Sequence, residues 1–348
     1  MNMLYAGLDL SRKRLDVRLL DAAGDTVAET IAAPDVDGLR VLAERCAVYG
    51  LPIRAAIESM NGARFVHDQL EFAGWDVEIA DALKVKGLAP LACKTDRIDA
   101  WVLAELARRD LVPAIWLPLP AVRAERERAR FRLHLVRHRS ALKHRIHATL
   151  LAHGRPCPVS DLFGFGGREL LASLQLPEPW NTTVEASLRV IDHLGEEITA
   201  CERELRALGA EHPYVPRLMT APGIAWILGY TIASEIGDIG RFAAPEKLVG
   251  YTGLCARVYQ SGERDRRGSL AKNGPKYLRW AMLEAAVHAC RHPAYRDRYQ
   301  TTKRRLGRQR GPKVAQIDIA RRLTAAIWHI LSRGEPFAPR GAANALAA

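Results

Sequence analysis

Tyr5-Ala6-Gly7-Leu8-Asp9-Leu10-Ser11 opens the chain as an apolar run that ends on a carboxylate. The run Leu4–Leu10 reads as a buried β-strand. Leu15-Asp16-Val17-Arg18-Leu19-Leu20 alternates, and Thr26–Ile31 alternates again beyond the turn signal Ala23-Gly24-Asp25, so two further strands are predicted. Asp35–Tyr49 predicts a helix with Leu39, Leu42 and Cys46 on one face and Asp35 or Asp37 as its N-cap. Arg54–Ile57 predicts a strand ending at Glu58, Gly62–Ala73 a helix, and Val77–Ala80 a strand. Ala82–Cys93 fits no single pattern, and Asp96–Arg109 is helical.

Antiparallel strands followed by alternating strand and helix is the order of a ribonuclease-H-like α/β domain. In that order Asp9 sits on the first strand and Glu58 at the end of the fourth. Asp96 and Asp99 are three apart on one helix and face the same way. Carboxylates brought together from separate elements suit hard Mg2+, or Mn2+ in its place, held against phosphate. Each acid has a duller explanation: Asp9 as a strand end, Glu58 paired with Arg54 or Arg64, Asp96 as a cap beside Thr95. Taken singly these suffice; jointly they leave the shared placement unexplained.

The 348 residues suit two or three domains, and an apolar fraction of 48% can bury a real core. No eighteen-residue apolar stretch exists to span a membrane. The start of the chain lacks a secretion-signal pattern. The six cysteines are scattered without C-x-x-C or paired Cys/His spacing, which argues against zinc or a disulfide framework and for a reducing cytoplasm. The net charge of +12 is blocked. Residues 1–110 carry 14 Lys+Arg against 18 Asp+Glu, and 111–155 carry 10 against 2. Residues 156–240 carry 5 against 12, and 241–348 carry 22 against 7. Two separate basic surfaces of this kind fit a polyanion.

Pro113, Pro118 and Pro120 mark a break, after which Ala121–His153 reads as one long helix with Phe131, Leu135, Leu142, Ile146 and Leu150 along a stripe. Arg123, Arg126, Arg130, Arg137 and Lys143 are among the cations on its other faces and are expected to meet phosphate. His134 and His138 stand at i,i+4, but the surrounding arginines would repel a metal cation. Gly154–Pro179 is loop-like. Val184, Leu188, Ile191, Leu194, Ile198, Cys201, Leu205 and Leu208 then follow at coiled-coil spacing. The turn Pro222-Gly223-Ile224 between apolar helices suggests a helix-hairpin-helix-like element. Tyr251–Arg279 is dense in glycine and cations: Arg264, Arg266, Arg267, Lys272 and Lys276 are candidate phosphate contacts. Ser261 beside Gly262 is a candidate nucleophile, with Ser269 a second hydroxyl nearby. Helices are expected at Tyr277–Cys290 and Lys313–Leu331, Lys303–Arg310 as a basic linker, and the end of the chain as a frayed tail.

At this point the chain resembles the DEDD transposases, or recombinases, of the bacterial insertion-sequence family 110. The first half carries Gly7-Leu8-Asp9-Leu10-Ser11, Ile57-Glu58-Ser59 and Lys94-Thr95-Asp96-Arg97-Ile98-Asp99-Ala100. The second carries Pro222-Gly223-Ile224, Ser234 through Phe242, Tyr251-Thr252-Gly253-Leu254, Ser261-Gly262 to Gly268, and Lys272-Asn273-Gly274. The resemblance implies a RuvC-like catalytic and RNA-binding domain over 1–155 and a linker with a coiled-coil-like helix over 156–212. It implies a mainly helical transposase domain over 213–336 and a disordered tail over 337–348. Asp9, Glu58, Asp96 and Asp99 would be the metal tetrad and Ser261 the second-domain nucleophile. The resemblance also implies donor and target DNA as substrates and a structured noncoding RNA as guide. It further implies a dimer or tetramer in the bacterial cytoplasm, with a RuvC-like domain of one subunit meeting the transposase domain of another. The rivals are a metal-dependent junction nuclease without a serine intermediate, a nucleic-acid-binding protein with a dead acidic centre, and a sugar-kinase-like ATPase. The basic tail and the lack of paired Gly-rich phosphate loops in the first domain speak against the last.

Overall fold

The expected strands form one sheet. The computed structural model describes residues 2–88, 96–262 and 264–339, and the chain divides into two compact units, Met1–Leu117 and Pro118–Ala348. The first unit runs β1 (Leu4–Leu10), β2 (Leu15–Leu20), β3 (Thr26–Ala32), α1 (Val36–Ala47), β4 (Ile53–Glu58), α2 (Ala63–Phe72), β5 (Asp76–Ala80), α3 (Ala82–Leu88) and α4 (Asp96–Arg108). Its strand order is β3-β2-β1-β4-β5. β2 lies antiparallel to β1 and to β3, while β4 is parallel to both β1 and β5.

The central strands are apolar on both sides because helices cover both faces. Ala6, Leu8, Leu15, Val17, Ile57 and Ile79 turn to one face and form a core with Leu39, Leu42, Val66 and Leu70 of α1 and α2. Ala56 and Ala80 turn to the other and pack on Val85 of α3 and Val102, Leu103 and Leu106 of α4. Small residues on that second face let α4 lie almost on the sheet. A Cβ on Gly7 would stand 1.7 Å from the Ala100 carbonyl oxygen and 2.5 Å from the Ala104 nitrogen, both fixed backbone atoms. Gly7→Ala is therefore expected to cost about 3 kcal/mol or more by forcing α4 off β1. A denaturant midpoint unchanged from wild type would contradict this close seat.

The second unit begins with α5 (Pro120–Ala152), followed by α6 (Phe165–Ser173), α7 (Trp180–Glu211), α8 (Val215–Leu218), α9 (Trp226–Ile236) and α10 (Pro245–Tyr251). A two-stranded antiparallel ribbon of β6 (Ala256–Ser261) and β7 (Arg264–Leu270) comes next, then α11 (Lys276–Ala289) and α12 (Pro293–Arg333). α12 is two helices joined at Gly307, where φ is 75° and ψ 179°. Its main core gathers Leu205, Val215, Ile232, Ile236, Leu248, Leu278, Met282, Ile319, Leu323 and Ile327.

Several expectations change here. The long helix α5 falls in the second compact unit, and its Ala129 joins that unit's core. On α5, Leu133 is buried and the expected core residue Phe131 is exposed. The loop-like Gly154–Pro179 contains α6, whose Leu171 packs with Ile146, Leu150, Val184 and Ile191. Val184, Ile191, Ile198 and Leu205 of the coiled-coil-like helix are buried within this chain. The Pro222-Gly223-Ile224 turn is core structure rather than a phosphate-facing hairpin: Ala221 and Ile224 are buried, and the Cβ position of Gly223 lies 2.2 Å from the Ala285 carbonyl oxygen of α11. The Phe337 amide donates to Thr220 Oγ1 at 2.8 Å, and its ring packs near Tyr295. Residues 340–348 lie outside the described residues.

Candidate active site

In the first unit, β1 and β4 run parallel with Gly7 opposite Ala56 and Leu8 opposite Ile57. Asp9 and Glu58 are one residue further on, at the carboxyl ends of neighbouring strands and on the α4 face that Gly7 and Ala56 define. α4 runs against β1. Its last-turn Arg108 donates to the Ala22 carbonyl at 3.1 Å, just past the end of β2, where Leu20 stands opposite Tyr5 at the start of β1. The opening turn of α4, with Asp96 and Asp99, therefore lies toward the Asp9 end. The chain leaves β1 toward β2 on one side and β4 toward β5 on the other, and the strand ends between such departures are where open α/β sheets bind ligands.

Asp9, Glu58 and Asp99 are each half-buried. The side chain of Asp96 lies outside the described residues, as do residues 89–95. Arg54, a proposed partner for Glu58, pairs instead with Glu78 at 3.0 Å and Asp110 at 2.7 Å. Among the described residues, neither Glu58 nor Asp99 has a side-chain hydrogen bond or ion pair. Two half-buried carboxylates thus stand at one end of one face without a described cation. Asp16, opposite Asp9 on β2, is a further acid of this face that the sequence did not single out. It is buried and neutralised by Arg14, whose Nε and Nη2 each donate to it at 2.7 Å. Among the described residues, no three His, Cys, Asp or Glu side chains are close enough to hold a metal ion. The elements bring the acids to one end, and the donor set is all carboxylate oxygen, the chemistry a hard divalent cation takes.

In the second unit, Ser261 is the last residue of β6, directly opposite Arg264 across a turn in which Gly262 has φ 57°. Side chains alternate along a strand, so Ser261, Arg264, Tyr259 and Arg266 share one face of the ribbon. All four are exposed, Tyr259 at 69%. The side chain of Arg267 lies outside the described residues. Tyr259 is the residue of this face that the sequence reading missed; its i,i+2 spacing from Ser261 was the available signal. The ribbon base is pinched shut by glycines. A Cβ on Gly253 would lie 2.1 Å from the Asn273 carbonyl oxygen, and one on Gly274 2.0 Å from that of Tyr251. Arg279 clamps the same loop, donating to the carbonyls of Thr252, Lys272 and Asn273. Lys272 and Lys276 are exposed beside it. These glycines approach protein backbone.

The arginines of α5 divide. Arg126 is 8% exposed and donates to the carbonyls of Ser234 at 2.8 Å and Glu235 at 2.6 Å. Arg130 grips the fully buried Glu235 carboxylate through Nε at 2.7 Å and Nη2 at 3.0 Å. Burial pulls the Arg130 guanidinium down, but the hydrogen bonds and charge of Glu235 outweigh it and hold the pKa above the ordinary value. Arg128 bonds Glu204 at 3.0 Å, and Arg132 bonds Glu202. Arg126 and Arg130, expected on nucleic acid, are therefore internal struts, and the acidic α7 neutralises part of the basic helix. Arg123 is half-buried. Arg137 is exposed, 5.5 Å above the Tyr277 ring, and Lys143 lies 4.5 Å above that of Phe163. The Ser234–Phe242 motif is likewise architectural. Arg241 stacks 4.0 Å over Phe242 and 4.2 Å over Tyr251, with its pKa lowered by burial, and the Phe242 carbonyl accepts from Trp328 Nε1 at 2.8 Å.

No described helix is long and apolar enough to cross a membrane. Residues 6–154 match a transposase family model of the DEDD type named for IS110, and residues 215–300 match the model described as Transposase IS116/IS110/IS902 family. The chain is 25% identical to the transposase for insertion sequence element IS1328 of Yersinia enterocolitica, over 97% of this chain and 99% of that protein. It is 24% identical to a probable family 20 transposase of Pseudomonas aeruginosa, over 97% of this chain and 100% of that protein. With both models in order along one chain and relatives matching end to end, this protein belongs to the IS110/IS116/IS902 family of insertion-sequence transposases.

Proposed function

We propose that this transposase cuts and rejoins DNA with two separate pieces of chemistry, a carboxylate site on a RuvC-like first unit and the Ser261 hydroxyl on the ribbon. The observation that carries the first is the pair Glu58 and Asp99, half-buried at the same end of the α4 face with no described cation to satisfy them. The order β3-β2-β1-β4-β5, with a parallel half and an antiparallel half, supports the RuvC-like assignment. Asp9, Glu58, Asp96 and Asp99 would hold Mg2+ or Mn2+, which when bound supplies positive charge to a phosphate oxygen.

The rest is done by this chain's own groups. Ser261 Oγ forms a bond to phosphorus as the bond from phosphorus to a sugar oxygen breaks. The hydroxyl proton is lost from Oγ, and the departing oxygen gains one. Arg264, opposite Ser261, and Arg266 on the same face offset the charge that grows on the non-bridging oxygens. Religation reverses the step on a new strand, so no water is consumed. Ser261 is favoured over Ser269 because it stands at the ribbon tip, while Ser269 stands next to Leu270 at the base. Lys143, Arg137 and Arg123 on α5 and Arg267, Lys272 and Lys276 near the ribbon remain our proposed phosphate contacts, with an RNA guide as a further partner.

The test is a cleavage reaction stopped with denaturant and resolved for protein-linked DNA. Wild type and Ser269→Ala are expected to give linked product, and Ser261→Ala none. Linked product from Ser261→Ala removes the serine assignment, and free nicked ends from wild type would establish a water-using nuclease in its place. Sequencing the nucleic acid that copurifies tests the guide.

A further inference from the structure

The segment expected to be a basic linker is instead the corner of a helical hairpin. Gly307 breaks α12, and the chain doubles back. Beyond the corner the two arms are tied by Arg298, which donates to Asp318 at 2.6 Å. At the corner itself the Cβ position of Gly311 is 2.3 Å from the Lys303 carbonyl oxygen, so the arms meet backbone to backbone. Lys303, Arg304, Arg305, Arg308, Arg310 and Lys313 all project from this turn, and all six are exposed. No Asp or Glu occurs between residues 298 and 317. None of the six forms an ion pair with a described residue; the acid nearest in sequence, Asp318, is held by Arg298 and Arg322.

We infer that this corner is a docking surface for the phosphate backbone of duplex DNA, independent of the ribbon that carries Ser261. Six cations are gathered on a corner roughly one helix diameter across, about 10–12 Å. Duplex DNA carries about one phosphate charge per 1.7 Å of axis, so a similar number of phosphates lies along that span. Cations held apart on a rigid bend are otherwise mutually repelling, and a polyanion is what relieves them. The corner holds no aromatic residue on which an unpaired base could stack, which disfavours a single strand. Its cations reach backbone rather than base edges, so the corner positions DNA without selecting sequence. A convex turn reaches the rims of the wide major groove of B-form DNA, whereas the major groove of duplex RNA is narrow.

The inference rests on the reading of this chain as a DNA-handling enzyme, and the experiment separates the two. Full-length protein is titrated with labelled 30-base-pair duplex DNA and, in parallel, duplex RNA, at several salt concentrations, using fluorescence anisotropy. A variant carrying Arg304→Ala, Arg305→Ala, Arg308→Ala and Arg310→Ala is expected to bind the DNA at least about tenfold more weakly. The slope of its salt dependence should fall by about three to four, at ~0.9 for each phosphate left without its arginine. Single Arg308→Glu provides the same reading should the fourfold variant misfold. DNA binding equal to wild type in a folded variant overturns the corner and leaves the catalytic proposal standing. Loss confined to the RNA overturns DNA as its partner. Wild type that binds no DNA at any salt brings down both.

Discussion

Asp9→Asn protein is expected to bind DNA as tightly as wild type and to form cut or linked product at least about a thousandfold more slowly. Asp9, next to last in β1, stands where β1 and β4 present their carboxyl ends beneath the first turn of α4. Amide for carboxylate keeps the shape and removes the charge, and loss of one preorganised group aimed at a transferring phosphoryl costs about 10²–10³, more where it also holds a cation. The readout that separates this from damage to the fold is stability. Activity lost with the unfolding midpoint unchanged marks a chemical rather than a structural role for Asp9. An Asp9→Asn protein that reacts at the wild-type rate would show that the acidic end of this face is scenery. A midpoint that falls along with activity would point to a strand-capping role.

Arg130→Ala should lower stability by about 3 kcal/mol, visible as a lower denaturant midpoint. Glu235 is 0% exposed and Arg130 is its bidentate partner. Removing one member of a buried pair leaves the other charge uncompensated, at about 3–5 kcal/mol. The low end applies because the Arg130 side chain is 34% exposed and Arg126 Nε remains 3.9 Å from the same carboxylate. The double variant Arg130→Ala with Glu235→Leu should lose less than the sum of the singles, the mark of direct coupling. Arg145→Ala, on the exposed part of the same helix, should change the midpoint by no more than about 0.5 kcal/mol. Equal effects from Arg130 and Arg145 would refute the internal-strut reading.

The contrast between the two units explains what could be read in advance. In the sheet, strands covered by helices on both faces read as short apolar runs, so Leu4–Leu10 and Ile53–Glu58 announce themselves. Asp35 was one of two expected caps, and its carboxylate accepts from the Gly38 amide at 2.8 Å. The placement of Asp9, Glu58 and Asp99 at one end followed from that same strand order. The ribbon was missed because β6 is exposed along its whole length beyond Ala256, and a strand wet on both sides carries no hydrophobic alternation. α6 was missed because Gly164-Phe165-Gly166-Gly167 reads as a loop until its Leu171 finds a core. The arginines of α5 look alike in sequence. What distinguishes Arg130 from Arg137 is an acid 105 residues further along, and helical periodicity has no reach over that distance.

The clamp between α5 and Glu235 also decides where this protein can be made less sticky. An engineer wishing to curb indiscriminate adhesion to polyanions would naturally thin out the helix richest in arginine. Arg126 and Arg130 of that helix are mortar, however, and trimming them costs folding stability. Positive charge that can be traded away at no cost to folding sits on the Gly307 bend and along the flanks of the ribbon.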